Sequence, residues 1–246
     1  MSETTLEESP KTVLITGASS GIGLALYHKY NALGYRVIVC GRDRMKLAKY
    51  NADADLRLSF DVNDIDSVAE ASTKVNDIDI LILNAGTCEY IDHAKQFNGQ
   101  IFRRVVNTNL VSMGALLEHF LPKLSFGGQV AFISSSATII PFQKAEAYGA
   151  SKAGLDYLAD SLRVSLQKEG LAVCLIHPGF VRTPLTDKNT FAMPFLLSAE
   201  QAAERIYQGI NKKQTYLHFP KRLTLLLKFL GLLPQSFSNL LLAKEY

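Results

Sequence analysis

Cysteine is scarce in this 246-residue chain and charge imbalance is small, and each scarcity excludes a class of protein. The three cysteines, Cys40, Cys88 and Cys174, are odd in number and widely spaced, so neither a disulfide framework nor a paired-thiolate metal site is indicated. A reducing cytoplasm fits this cysteine usage best. The formal net charge is only +3 and there is no long run of like charges, so we expect no nucleic-acid partner.

Long apolar segments are also missing from the two ends of the chain. Residues 1–10 are acidic and polar, which predicts a flexible tail rather than a signal peptide or membrane anchor. The apolar run 223–233 contains Lys228 and Gly231 and falls far short of the roughly 20 residues that a membrane-spanning helix needs. No transmembrane segment is therefore predicted.

Short apolar runs rich in β-branched residues alternate with longer helical patterns, which is typical of βαβ units and a parallel sheet. Seven strands are predicted, at residues 12–16, 36–40, 56–60, 78–83, 129–134, 172–176 and 215–219. Helices are predicted at residues 22–33, 43–50, 65–75, 97–124, 147–169 and 199–208. The expected fold is α/β: a single Rossmann-type, doubly wound parallel sheet over residues 11–220 with helices on both faces, followed by an apolar helical extension over 221–246. In such sheets, ligands bind outside the carboxyl ends of the strands.

The first predicted strand runs directly into a glycine-rich turn, Thr16-Gly17-Ala18-Ser19-Ser20-Gly21-Ile22-Gly23. Glycines let the chain turn tightly, and they let backbone N–H groups and a helix N-terminus approach a pyrophosphate. The spacing differs from the G-x-G-x-x-G dinucleotide fingerprint. The turn predicts a dinucleotide site, with a plain strand-to-helix turn as the alternative.

The end of the second strand indicates which dinucleotide is bound. An acidic residue there would hydrogen-bond the adenosine ribose and repel a 2′-phosphate. This strand ends in Cys40-Gly41-Arg42, which offers no carboxylate and a guanidinium suited to phosphate, so we expect NADP(H) as the cofactor. Asp43 is an alternative ribose ligand, although it fits the N-cap of the next helix more naturally.

Tyr148 and Lys152 lie four residues apart in a predicted helix, so their side chains share one face. A nearby cation stabilises a phenolate and brings the pKa of tyrosine closer to the range in which it exchanges protons at neutral pH. A pair at this spacing is also common on helix surfaces, so other motifs must support it.

Those other motifs resemble the short-chain dehydrogenases/reductases, and the resemblance runs from residue 11 to about residue 220. The glycine turn is similar to the family's T-G-x-x-x-G-x-G. Asn84-Ala85-Gly86 is similar to its N-A-G, and Tyr148 with Lys152 to its Y-x-x-x-K. Together these motifs, in this order, are highly specific for the family.

The resemblance implies an oxidoreductase that transfers a hydride between nicotinamide and a carbonyl or secondary alcohol. Tyr148 would exchange a proton with the substrate oxygen, while Lys152 would lower the pKa of Tyr148 and hold the nicotinamide ribose. Ser135, thirteen residues before Tyr148, would donate a hydrogen bond to the substrate oxygen. Asn109 would position a water that links Lys152 to solvent. The catalytic residues implied are Asn109, Ser135, Tyr148 and Lys152.

The resemblance also implies a set of cofactor-binding residues. Asp61 and Val62 follow the third strand, where the family's Asp contacts the adenine; a helix-capping role for Asp61 is the alternative. The segment 178–183 resembles the family's P-G-x-V-x-T, in which the Thr bonds the nicotinamide carboxamide. The implied set is Gly17, Ser19, Ser20, Gly21, Ile22, Gly23, Arg42, Asp61, Val62, Asn84, Ala85, Gly86, Tyr148, Lys152, Pro178, Gly179, Val181 and Thr183.

Several residues near these motifs have competing interpretations. Ser134 and Ser136 flank Ser135, and only the spacing to Tyr148 selects the middle serine. A Ser-His-Asp hydrolase is disfavoured because no G-x-S-x-G elbow surrounds these serines. His177 fits a structural role better than a ligand role, and Cys88 is expected to line the site with an unactivated thiol.

Substrate contacts are expected from three variable segments, residues 89–97, 137–147 and 184–197. Their apolar residues fit a hydrophobic small-molecule substrate and ordinary packing equally well. These residues are Ile139, Ile140, Phe142, Phe191, Met193, Phe195 and Leu196. The family resemblance further implies a homodimer or homotetramer, formed through the helices that carry Asn109 and Tyr148.

The basic, apolar segment 221–234 leaves three interpretations open. It is a helix packed on the core or on a partner subunit, a lid over an apolar substrate, or an interfacial helix that gives peripheral membrane contact. For the whole chain we expect a cytoplasmic, NADP(H)-dependent oxidoreductase. The alternative is a catalytically silent NADP(H)-binding redox sensor or regulator, against which all four catalytic positions argue.

Overall fold

Seven parallel strands form the centre of the structure, a computed structural model that describes residues 10–189 and 191–234. The strands are β1 Thr12–Thr16, β2 Arg36–Gly41, β3 Leu56–Ser59, β4 Ile78–Leu83, β5 Leu124–Ile133, β6 Ala172–Pro178 and β7 Tyr216–Phe219. Their order in the sheet is β3-β2-β1-β4-β5-β6-β7. The chain changes direction across the sheet between β1 and β4, which opens a crevice at the carboxyl ends of these strands. The predicted Rossmann-type sheet is confirmed.

Helices connect the strands, in crossovers of the length that parallel strands require. They are α1 Gly21–Ala32, α2 Arg44–Tyr50, α3 Ile65–Ser72, α4 Gly99–Val106, α5 Ser112–Phe120, α6 Glu146–Leu166, α7 Ala199–Asn211 and α8 Lys221–Gly231. Of the predicted terminal segments, residues 1–9 and 235–246 lie outside the described residues. In the described part of the chain, none of the helices combines the length and apolar character of a membrane span.

One predicted helix, over residues 97–124, is wrong in its extent. Helix α4 starts after Asn98, whose side chain accepts hydrogen bonds from the first backbone N–H groups of the helix. A π-helical turn, Asn107–Val111, then separates α4 from α5. A proline in the following 3₁₀ turn, Leu121–Lys123, cannot supply a helical N–H, and Leu124 already begins β5.

Apolar side chains cover both faces of the sheet, as expected for parallel strands. Along β1, Val13 and Ile15 belong to the apolar cluster that includes α1 and α7, whereas Leu14 belongs to the cluster that includes α3, α5 and α6. All three side chains are fully buried. The alternation follows from the two-residue period of a strand, and it leaves the strand ends as the place where polar residues can gather.

Candidate active site

A cleft with a volume of about 850 Å³ lies at the carboxyl ends of the strands. It is lined by the β1–α1 turn, the end of β2, and the segments that follow β3, β4, β5 and β6, together with Tyr148 and Lys152 of α6. All the predicted catalytic and cofactor-binding residues line this cleft except Gly23 and Asn109, which are buried. Among the described residues, no cluster of His, Cys, Asp or Glu suited to a metal ion is found.

The glycine turn leaves no room for side chains where it approaches the cleft. Gly17 and Gly21 have φ values of +66° and +53°, a backbone region that favours glycine. A Cβ atom on Gly17 would lie 2.9 Å from the Cα of Ala85, and one on Gly23 would lie 2.3 Å from the Gly17 carbonyl oxygen. Ser20 is the N-cap of α1, yet its side chain makes no capping hydrogen bond. The open N-terminus of α1 therefore fits the pyrophosphate of a dinucleotide.

Asn84 fixes the glycine turn to the end of β4. Its side-chain amide donates to the carbonyl oxygens of Thr16 and Gly17, at 3.0 and 3.2 Å. In return, the hydroxyl of Thr16 accepts from the backbone N–H groups of Asn84 and Ala85, at 2.9 and 3.0 Å. Asn84 thus positions the cofactor turn through the protein backbone, and Thr16, first residue of the glycine motif, is its partner that sequence reasoning missed.

The rim of the cleft beyond β2 carries an exposed cationic group. The side chain of Arg42 is 73% exposed, and its Nη1 lies 3.8 Å from Oδ2 of Asp61. Asp43 is the N-cap of α2, as predicted, and accepts from the backbone N–H of Lys46 at 3.0 Å. The cap of α3 is Asp64, so the alternative that Asp61 caps this helix is wrong, and the Asp61 carboxylate stays beside Arg42 at the cleft.

Ser135, Tyr148 and Lys152 meet at the bottom of the cleft, where β5 ends and α6 begins. The hydroxyl groups of Ser135 and Tyr148 are hydrogen-bonded to each other. The Nζ of Lys152 donates to the carbonyl oxygen of Ile133 at 2.8 Å and lies 5.9 Å from the centroid of the Tyr148 ring. The strand end and the first turns of the helix therefore assemble three residues that are up to 17 positions apart in sequence.

Burial shifts the pKa values of Tyr148 and Lys152. The ring of Tyr148 is partly exposed along the cleft wall, but burial of the hydroxyl raises the pKa of Tyr148, and the hydrogen bond from Ser135 only partly offsets this. Burial also lowers the pKa of Lys152 to about 8, against an opposing effect of the Asp156 carboxylate. We expected Lys152 to lower the pKa of Tyr148; burial instead raises this pKa, and the opposing contribution comes from Ser135.

Asn109 lies in the π-helical turn, fully buried, and ties this turn to the segment after β4. Its Oδ1 accepts from the backbone N–H of Thr87 at 2.7 Å, and its Nδ2 donates to the Thr87 carbonyl and the Ser151 hydroxyl, each at 2.9 Å. A Cβ on Gly86 would lie 3.1 Å from Oδ1 of Asn109 and 3.6 Å from Nζ of Lys152. Asn109, Gly86 and Lys152 are therefore neighbours, and π-helical turns are frequent at functional sites.

The structure distinguishes the adjacent serines that the sequence leaves nearly equivalent. Ser135 and Ser134 both reach the cleft wall, but the Ser134 hydroxyl donates to the carboxylate of Asp156 and is buried. Asp156 in turn lies 2.9 Å from Nε2 of His177, outside hydrogen-bond geometry, and Nδ1 of His177 lies 3.0 Å from the Tyr216 hydroxyl. His177 therefore has the structural setting that we expected.

Cys88 does not line the cleft, contrary to the sequence analysis. Its thiol interacts with Tyr90, and burial raises the pKa of the thiol, so nothing activates it as a nucleophile. Two charged residues lie at the cleft instead: Glu89, the first residue of a segment predicted to contact substrate, and Arg104, which was not predicted. Glu89 and Arg104 form an ion pair with an O–N distance of 2.7 Å.

The segment after β6 closes the cleft opposite the glycine turn. A Cβ on Gly21 would lie 2.9 Å from Cγ2 of Thr183, which places the two loops in contact. The backbone N–H of Thr183 donates to the hydroxyl of Thr186 at 3.0 Å, and this hydroxyl donates to the Val181 carbonyl at 2.7 Å. Thr186 therefore fixes the loop that carries Thr183. Its position three residues after Thr183 is the only sequence signal that would have indicated this role.

Comparison with known proteins agrees with this arrangement. The sequence profile of the short chain dehydrogenase family matches residues 11–193. An uncharacterized oxidoreductase from Myxococcus xanthus is 32% identical over 240 residues, covering 93% of this chain and 94% of its own. The chain belongs to the short-chain dehydrogenase/reductase family, and it is an oxidoreductase of that family.

Solved structures of two short-chain dehydrogenases show the same fold. One from Burkholderia cenocepacia, in complex with NADP, has a TM-score of 0.84 at 19% identity and covers 95% of this chain and 98% of its own. One from Burkholderia phymatum, in complex with NAD, has a TM-score of 0.80 at 19% identity and covers 89% and 92%. At these identities the comparison speaks for the fold alone.

Proposed function

We propose that the protein is an NADP(H)-dependent oxidoreductase that interconverts a carbonyl compound and the corresponding alcohol. The observation that carries the proposal is the meeting of Ser135, Tyr148 and Lys152 at the bottom of a cleft whose other wall is the glycine turn. These groups supply a proton, a hydrogen bond to oxygen and a cation within one small volume, and carbonyl reduction requires all three.

The bound nicotinamide supplies or accepts the hydride, and the protein supplies orientation and proton transfer. Tyr148 gives its phenolic proton to the substrate oxygen during reduction and takes it back during oxidation. Its raised pKa keeps this proton in place at neutral pH. Ser135 donates a hydrogen bond to the same oxygen, which stabilises the negative charge that develops there.

Lys152 supports the tyrosine from behind. Its ammonium group is buried beside the Tyr148 ring, where a positive charge stabilises the phenolate that forms when the proton leaves. We further propose that it holds the nicotinamide ribose. Asn109, which like Lys152 lies close to Gly86, would position a water molecule through which the lysine regains protons from solvent.

The decisive experiment replaces Tyr148 by phenylalanine and measures NADPH-dependent reduction of ketones, aldehydes and 3-oxoacyl compounds. We expect turnover of every accepted substrate to fall by roughly 10²- to 10⁴-fold, with NADPH binding retained. Tyr157→Phe, an exposed tyrosine on the same helix, is the matched control and leaves turnover unchanged. If no substrate is turned over and Tyr148→Phe leaves the biological role intact, the catalytically silent regulator is the better description.

The preference for NADP(H) rests on the rim of the cleft, since proteins of this fold bind either dinucleotide. Arg42 presents a permanently charged, exposed guanidinium next to a glycine, and Asp43 is engaged as a helix cap. Arg42→Ala is expected to lower kcat/KM with NADPH by about tenfold or more relative to that with NADH. Arg36→Ala, at the opposite end of the same strand, is the control. An unchanged ratio of the two cofactors in Arg42→Ala would refute the assignment.

An apolar substrate is supported by aromatic rings on segments whose neighbouring residues line the cleft. Phe191 contacts the rings of Tyr90 and Phe180, with centroids 6.0 Å apart in each pair. Ile140, by contrast, is buried against Leu223 of α8 and serves the core, so only part of the apolar sequence is available to a ligand. Turnover confined to small, strongly polar carbonyl compounds would contradict this part of the proposal.

We also propose a homodimer or homotetramer in the cytoplasm, formed by the outer faces of α5 and α6. Val111, beside α5, and Val164 of α6 are 61% and 74% exposed, unusually open for branched apolar residues on two neighbouring helices. Light scattering of the purified chain measures the assembly, and a monomer at all concentrations would contradict this.

A further inference from the structure

Helix α8 has a continuous apolar face that the described part of the chain leaves uncovered. Its exposed apolar residues are spaced so that they lie on one side of the helix. They are Leu225, Leu226, Phe229 and Leu232, with exposed fractions of 57%, 50%, 62% and 84%. Three of these side chains lie on the 11-residue helix and the fourth, Leu232, is its C-cap; together they form a patch of the kind that usually marks an interaction surface.

The opposite face of α8 packs against the rest of the protein and fixes which side of the helix is exposed. Leu223 and Leu227 are buried in an apolar cluster with Ile140. Thr224 is fully buried; its hydroxyl donates to the carbonyl oxygen of Pro220 at 3.1 Å and lies 2.7 Å from Nδ1 of His218. The helix cannot turn its outer face inward without losing these contacts, so the exposure of the apolar patch is fixed by the fold.

Basic residues border the patch. Arg222 precedes Leu225 and Leu226 by one helical turn and lies on the same exposed side. Lys221 and Lys228 flank it, with Nζ of Lys221 2.9 Å from Nε2 of His218 and Nζ of Lys228 4.5 Å above the Tyr216 ring. The helix contains no acidic residue.

We propose that α8 is a membrane-surface helix that docks the protein on anionic lipid. The apolar patch enters the boundary between headgroups and acyl chains, and the three basic side chains contact anionic headgroups. With 11 residues the helix lies on the bilayer and does not span it. A lipid surface supplies apolar volume and negative charge together. Two copies of α8 packed face to face would instead bring six cations together with no acidic partner from either helix.

The docked helix would lie beside the cleft. Leu223 on its buried face would meet a Cβ on Gly179 at 2.7 Å, and Gly179 lines the cleft. Phe180 packs against the same apolar cluster as α8. The membrane surface therefore lies next to the segment that follows β6, and this conclusion does not depend on the reaction that the cleft catalyses.

Sedimentation with vesicles tests the proposal on the full chain. The chain is expected to bind phosphatidylcholine vesicles that contain phosphatidylglycerol, and to bind phosphatidylcholine alone much more weakly. Phe229→Glu should reduce partitioning by about tenfold or more, because a charge replaces an aromatic ring that would enter the lipid. Arg222→Gln should reduce it by about fivefold, and added salt should act in the same direction. Phe126→Glu, at a phenylalanine that is 92% exposed on β5, is the matched control and leaves binding unchanged. Circular dichroism checks that each variant is folded.

Several results would overturn the proposal. One is equal vesicle binding by Phe229→Glu and the unchanged chain, and another is equal binding to neutral and anionic vesicles. Loss of an oligomer in Phe229→Glu, without any vesicle binding by the unchanged chain, would assign the patch to a second copy. Binding that appears only when the chain is shortened after Pro234 would show that residues 235–246 cover the patch.

Discussion

Helix α6 contributes to two polar clusters, through Tyr148 and Lys152 to one and through Asp156, one turn later, to the other. The clusters differ in whether their polar atoms are available to a ligand. The cleft cluster, Ser135, Tyr148 and Lys152, borders the cleft. The buried cluster consists of Ser134, Asp156, His177 and Tyr216, and its members contact one another across the ends of β5, β6 and β7.

Both clusters contain a serine and a tyrosine hydroxyl; the cleft cluster adds a lysine, and the buried cluster adds a carboxylate and a histidine. For the two adjacent serines, the partner of the hydroxyl separates a proposed catalytic role from a structural one. In the cleft cluster a ligand oxygen can reach the hydroxyls, whereas in the buried cluster the hydroxyl of Ser134 is already engaged by a carboxylate. The comparison teaches that the type of a residue indicates its role here only when the partner of its side chain is known. Substitutions in the cleft cluster should therefore change activity, and those in the buried cluster should change stability.

The largest difference is expected for the charge of Lys152. Lys152→Met keeps the length of the side chain but removes the cation beside Tyr148, so kcat/KM should fall by roughly 10²- to 10⁴-fold. Lys168→Met, just beyond the end of α6, is the control and should leave kcat/KM unchanged. Steady-state assays with NADPH measure both variants. Activity within a few-fold of the unchanged enzyme in Lys152→Met would remove Lys152 from the cleft cluster's function.

The adjacent serines give the next largest effect and serve as controls for each other. Ser135→Ala removes the hydrogen bond to the substrate oxygen and should lower kcat by about 10²-fold, with the free energy of unfolding changed by less than about 1 kcal/mol. Ser134→Ala leaves the Asp156 carboxylate without this donor, so it should cost about 1 to 2 kcal/mol in urea unfolding while kcat changes little. The reverse pattern would exchange the roles of the two serines.

The smallest effect links the clusters through pH. Catalysis needs charged Lys152, so kcat/KM should fall as pH rises through about 8, the pKa of the lysine, whereas Tyr148 with its raised pKa stays protonated there. The Asp156 carboxylate raises the pKa of Lys152. Asp156→Asn should therefore shift this alkaline limb to lower pH, and Asp160→Asn, one turn further along α6, should not. A limb that stays in place in Asp156→Asn would mean that the buried cluster has no electrostatic effect on the cleft cluster.

Much of the nucleotide half of the fold could be predicted from local sequence. The run of Val13, Leu14 and Ile15, the glycines that follow it and the cap at Asp43 each depend on neighbours within a few residues, and the structure has all of them. Less of the structure could be predicted where it depends on contacts between segments distant in sequence. The break in residues 97–124 depends on a π-helical turn that holds Asn109 against Thr87, a contact over 22 positions.

The cluster around α6 shows the same limit. The spacing of Tyr148 and Lys152 is local, so their common helix face could be predicted. The raised pKa of Tyr148 could not, because it results from burial, which is a property of the assembled cleft.

The sequence by itself determined the alternation of strands and helices, the glycine turn, and the order of motifs that identifies the family, because each is written in residues close together along the chain. Only the tertiary structure decided which serine hydroxyl is bound by Asp156, which carboxylate caps α3, and which side of α8 is left exposed. These depend on contacts between segments far apart in sequence, and a periodic pattern specifies that a face is apolar without specifying what it meets.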